Sequence, residues 1–141
     1  MDKKVSAGKA AGIVFCILAG ICTVVLLFMD GYFSGQMKTI NKYYTSVVRD
    51  DMNGFKSCFS AETAADFTEA EFEAEKERIQ NLLDSEEVKT DVTFVRRDYF
   101  GHIIYFDLTV YNDDYHVTEQ MHTNLRRDGM KWVISQDSYS I

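Results

Sequence analysis

Hydrophobic and polar positions change their spacing twice along this chain. Residues 10–29, AAGIVFCILAGICTVVLLFM, are twenty positions without a charge. At 1.5 Å rise per residue they match the ~30 Å hydrocarbon core of a bilayer, which predicts a transmembrane helix. Lys3, Lys4 and Lys9 precede the run and Asp30 follows it. That flank bias predicts a signal anchor, with a cytoplasmic tail over 1–9 and the rest outside the cytoplasm. The run is longer than the apolar part of a removable signal peptide, and no small-residue cleavage site follows. Gly8, Gly12, Cys16 and Gly20 recur every fourth residue, a stripe suited to close helix packing.

The glycines in residues 30–35 predict a hinge. Beyond it, Met37, Ile40, Tyr44, Val47 and Val48 recur at helical spacing. Asp50-Asp51-Met52-Asn53-Gly54 breaks the pattern ahead of a short apolar patch at Phe55, Cys58 and Phe59. A further helix starts at Thr68, whose hydroxyl and the Glu71 carboxylate have capping-box spacing. Phe72, Ile79, Leu82 and Leu83 form its apolar stripe.

After Glu87 the period becomes two, the spacing of strands. Val92 and Phe94 mark a first strand, and Ile104, Phe106, Leu108 and Val110 a second. Tyr99-Phe100-Gly101 fits the loop between them. The turn at 112–115 predicts that residues summing to 227 face one another across the second and third strands. Asp128-Gly129 predicts a tight turn with residues summing to 257 opposed, Leu125 against Trp132. One face then collects Phe94, Phe106, Leu108, Val110, Val117, Met121, Leu125, Trp132 and Ile134. The other is polar, with Tyr105, Asp107, Tyr111, His116 and His122, as expected of a sheet wetted on one side.

Composition narrows the function. The net charge is −7, and the chain beyond residue 29 keeps 12 of the 15 basic and 21 of the 22 acidic residues, a net of −9. Such a domain repels phosphate backbones, so nucleic acid is excluded as a partner. Cys16 and Cys22 lie in the apolar run, leaving Cys58 alone in the rest. No internal disulfide is available there, and Cys58 between phenylalanines reads as a small buried hydrophobe. His116 and His122 are ~20 Å apart along one strand, too far to share a metal. No residue set calls for a cofactor, a metal or a catalytic role.

Tyr43-Tyr44, the 51–59 segment and above all Arg127-Asp128-Gly129-Met130-Lys131-Trp132-Val133-Ile134 carry a resemblance. With helices followed by a four-stranded meander, the chain over 36–141 resembles the cystatin-like, nuclear transport factor 2-like fold of the ketosteroid isomerase superfamily. It is most similar to small membrane-anchored members of unknown function from Gram-positive bacteria. The resemblance implies an α+β, cone-like domain of two to three helices packed on a curved four-stranded antiparallel sheet, following the transmembrane helix. It also implies that sheet-face dimers are common and that enzymes of the group work inside the cone. Fold of this kind does not determine function.

The expected function is a non-enzymatic, single-pass, extracytoplasmic interaction or scaffold module. Its candidate interface is Tyr105, Asp107, Tyr111, His116 and His122, and its partner is a protein or a second copy. One alternative is a site for a small apolar ligand in the cone, at Tyr44, Phe106, Glu119, Met121 and Trp132. Another is acid–base catalysis, by Glu119 inside the cone or by Asp107, His122 and Tyr105 outside it.

Overall fold

The computed structural model describes residues 7–135, with side chains described for 12–27 and 33–135. Four helices come first: α1 (Ala7–Val48), α2 (Met52–Lys56), α3 (Ala61–Asp66) and α4 (Glu69–Asn81). Four strands follow: β1 (Lys89–Arg97), β2 (Ile103–Tyr111), β3 (His116–Asp128) and β4 (Lys131–Ile134). They form one antiparallel meander in the order β1-β2-β3-β4. Contacts divide the chain into two units, Met1–Ser34 and Gly35–Ile141.

The membrane span expected over 10–29 is not sustained. Among the described residues no helix is long and apolar enough to cross a membrane. The signal anchor and the single-pass topology built on it fall with that span. Gly12 and Gly20 have nothing within 4 Å of a Cβ placed on them, and Cys16 is exposed, so nothing described packs on the small-residue stripe. Gly8 and the tail 1–9 lie outside the residues whose side chains are described. Residues 30–35, expected to form a hinge, are helical within α1.

The Gly35–Ile141 unit has its own core. Ile40, Tyr43, Tyr44 and Val47 on α1 meet Phe72 and Ile79 on α4 and Phe106, Leu108 and Val110 on β2. Between them, Phe55 and Phe59 stack with Tyr43, Phe67 and Phe72 at ring separations of 4.5–6.0 Å. The end of α1 is closed by Asp50 in the left-handed region (φ 62°). There Asp50 N–H donates to Val47 C=O and Asp51 N–H to Ser46 C=O, a Schellman closure. The predicted capping box is formed: Glu71 N–H donates to Thr68 Oγ1, and Thr68 N–H to Glu71 Oε2 at 2.8 Å.

The meander follows the expected pattern with three departures. β2 and β3 pair at the sum of 227, Tyr105 opposite His122 and Phe106 opposite Met121. β3 and β4 pair two residues further on, Leu125 opposite Ile134 and Arg127 opposite Trp132. The central turn residues are Gly129 and Met130, and only Gly129 has a positive φ (61°). That is the glycine-first, type II′ pattern, which moves the turn one residue along. The resulting shift is even, so every side chain keeps its predicted face.

The second departure is a bulge at Val95, where pairing slips between Phe94 and Arg96. Phe94, expected in the core, keeps its register opposite Phe106 but lies on the edge strand and is 48% exposed. The third is that β4 is short and pairs only with residues 125–128 of β3. Val117 and Met121 therefore lie at a sheet margin and are only half-buried. β4 itself is buried on both faces. Ile134 N–H donates to Cys58 C=O at 2.8 Å and Arg126 to Ser60 Oγ at 3.2 Å, so the 58–60 segment borders β4 and buries Val133.

Candidate functional site

Two places in the Gly35–Ile141 unit gather polar side chains: a groove bounded by α1, α4 and β3, and the outer face of the sheet. Tyr43 and Tyr44 belong to the buried stripe of α1, one turn from Ile40. Glu75 and Arg78 stand on α4, the first of them half-buried, because that helix lays Phe72 and Ile79 on the core. Phe106 comes from β2 and forms the floor with Ile134. The groove, open to solvent along one side, has a volume of about 490 Å³.

The chemistry of the groove centres on Arg78. Its Nε and Nη2 donate to both oxygens of Glu75 at 2.8 and 2.7 Å. This bidentate pair holds the guanidinium charged, well above its ordinary pKa. Burial pushes the Tyr44 phenol up to about 12, with Arg78 pulling the other way. Tyr44 is therefore a neutral group at neutral pH. Cys58 is buried too, its thiol pushed up to about 11 by burial and its Sγ donating to Gly54 C=O at 3.4 Å. A thiol so placed is no nucleophile.

Of the residues expected in the pocket, Tyr44, Phe106, Glu119 and Met121 line the groove. Trp132 does not. Its indole closes instead on Gly35 of α1, and its C=O accepts from Thr39 Oγ1 at 3.2 Å. His122, expected on the outer face, touches the groove as well, together with Gln120 and Thr123. Glu75 and Arg78 were not legible as site residues. Their i,i+3 spacing looks like any solvated helical ion pair.

On the outer face, the Arg96 guanidinium lies 3.8 Å from the centre of the Tyr105 ring, and the His122 ring stands 5.7 Å away on the other side. Asp107 occupies the next row, opposite Gln120 on β3 and Thr93 on β1. Beyond it Thr109 and Thr118 hydrogen-bond at 3.0 Å, Asp91 flanking them. Tyr111 and His116 pair at the far end. The register thus assembles all five expected interface residues on one face. Among the described residues no cluster of histidine, cysteine or carboxylate side chains has the geometry to hold a metal.

No protein-family model matches this sequence, and no curated protein is significantly similar to it.

Proposed function

We propose that the Gly35–Ile141 unit is a non-enzymatic interaction module that pairs with a second copy of the chain through the outer face of its sheet. The observation that carries this reading is the placement of the Arg96–Tyr105–His122 stack one row from Asp107. Cations that make no ion pair among the described residues sit towards one end of the face, at Arg96 and Arg126, and anions towards its middle, at Asp107 and Asp91. Lys89 at the far end, opposite Tyr111, is paired with Asp113. A two-fold axis between the two central rows would set Arg96 and Tyr105 of one copy against Asp107 of the other. Such a face is self-complementary in charge although the chain as a whole is strongly acidic. Tyr105 supplies a large, half-buried aromatic near the centre, where interface energy concentrates. The reading also suits a nuclear transport factor 2-like domain, the resemblance that the 127–134 hairpin suggests.

Sedimentation of the full chain across a range of concentrations tests it. Arg96→Glu and Asp107→Lys should each weaken association about tenfold or more, and the two together should recover it. If both single variants associate like the parent, the face is not the interface.

A further inference from the structure

Five consecutive residues of β3, 119–123, border the groove. Side chains alternate along a strand, so one face supplies only every second residue. The groove must therefore run along the edge of β3, against its backbone.

Over residues 118–122 that edge carries backbone groups that pair with no described strand. Asn112 N–H donates to Tyr115 C=O and Leu125 N–H to His102 C=O, both pairs summing to 227. Odd-numbered residues of β3 thus turn their backbone groups towards β2. Asn124 C=O, on an even-numbered residue, accepts instead from Ser135 on the opposite side. By the same alternation Thr118, Gln120 and His122 aim N–H and C=O away from β2. Among the described residues no strand pairs with them, because β4 meets β3 only at 125–128.

The groove beside this edge has an apolar floor at Phe106 and Ile134. Its charges do not cancel. Glu75 and Arg78 neutralise each other, whereas the Glu119 carboxylate has no ion pair or hydrogen bond among the described residues. We infer that β3 accepts an extended, basic peptide segment of a partner protein, which adds a strand antiparallel to residues 118–122. The segment exchanges backbone hydrogen bonds with Thr118, Gln120 and His122, the usual mode of strand addition. Its residue opposite Met121 is apolar and rests on the floor. Its residue opposite Glu119 is lysine or arginine and pairs with that carboxylate.

The site uses the backbone edge of β3, whereas the sheet-face interface uses side chains, so the two are tested separately although His122 belongs to both. The probe is a capped pentapeptide of threonines with leucine second and lysine fourth, titrated into the isotope-labelled full chain. Amide exchange at Thr118, Gln120 and His122 should slow, while Glu119 and Met121, already bonded to β2, should not change. Glutamate in place of the peptide lysine should weaken binding about tenfold, the scale of one charge-assisted contact. Glu119→Lys should reverse that preference. The Arg96→Glu variant should still bind, since its substitution lies on the outer face.

Unchanged exchange at the three even-numbered amides overturns the inference. So does binding only by a chain ending at Ser135, which would make residues 136–141 the occupant. Slow exchange that appears with rising protein concentration and no peptide also overturns it, by making the occupant a second copy.

Discussion

The indole of Trp132 closes on the backbone of Gly35: a Cβ at position 35 would lie 2.9 Å from Cδ1 and 3.4 Å from Nε1. The Thr39 hydroxyl, one turn along α1, donates to the carbonyl of the same tryptophan at 3.2 Å. The Arg127 guanidinium lies 5.1 Å from the indole ring. Only four residues long, β4 is held by its ladder to β3, by the buried Trp132, Val133 and Ile134, and by its bond to Cys58.

Trp132→Ala should therefore cost ~3–5 kcal/mol, the range for deleting a buried large aromatic. Gly35→Ala should also destabilise. It gains about 1 kcal/mol of helix propensity but must displace the indole, at about 1–3 kcal/mol for overpacking. Urea unfolding followed by tryptophan fluorescence measures Gly35→Ala, and circular dichroism measures Trp132→Ala. A Trp132→Ala cost below ~1 kcal/mol would mean that β4 does not depend on the indole.

Alkaline pH should destabilise the domain, in part through Tyr44. Its phenol ionises at an ordinary 10.0 when unfolded and at about 12 when folded. Between those values the folded state holds the proton and the unfolded state does not. The Tyr44 contribution is thus fully present below pH ~10 and falls as pH rises towards about 12, by at most ~1.4 kcal/mol per pH unit. The Cys58 thiol, raised from 9.0 to about 11, adds a separate fall that begins near pH 9. Tyr44→Phe should make the fall between pH ~10 and about 12 shallower in denaturant midpoints taken across that window. An unchanged slope would remove Tyr44 as a source of it.

The Thr68 cap should contribute measurably although it is exposed. Thr68→Ala removes the acceptor for Glu71 N–H and should cost about 1 kcal/mol. Thr68→Ser, which keeps the oxygen, should cost far less. Equal losses for the two would show that the hydroxyl is not the cap.

Residues 35–141 alone should fold cooperatively, since the core residues from Ile40 to Ile134 all lie within that unit. Dispersed amide resonances and a single urea transition are the expected results. Collapsed, broad spectra would mean that the unit depends on the preceding segment.

Local chemistry determined much of this protein by itself. The Thr68–Glu71 box, the period-two strands and the turn at 112–115 involve residues close in sequence, and their geometry follows from neighbouring backbone and side chains. The pairing of Tyr105 with His122 and the sharing of one face by Tyr105, Asp107, Tyr111, His116 and His122 follow from that turn alone. Contacts between distant segments decided the rest. Phe94 is half exposed although it stays opposite Phe106, because β1 is the edge strand, and Trp132 turns from the groove to Gly35, ninety-seven positions earlier. Glu75 and Arg78 became groove residues only when α4 packed beside Tyr44. The open edge of β3 exists because β4 pairs no further than 125–128 within the described residues. Periodicity reports which face a residue occupies, but partner, depth and edge depend on long-range packing that no local spacing encodes.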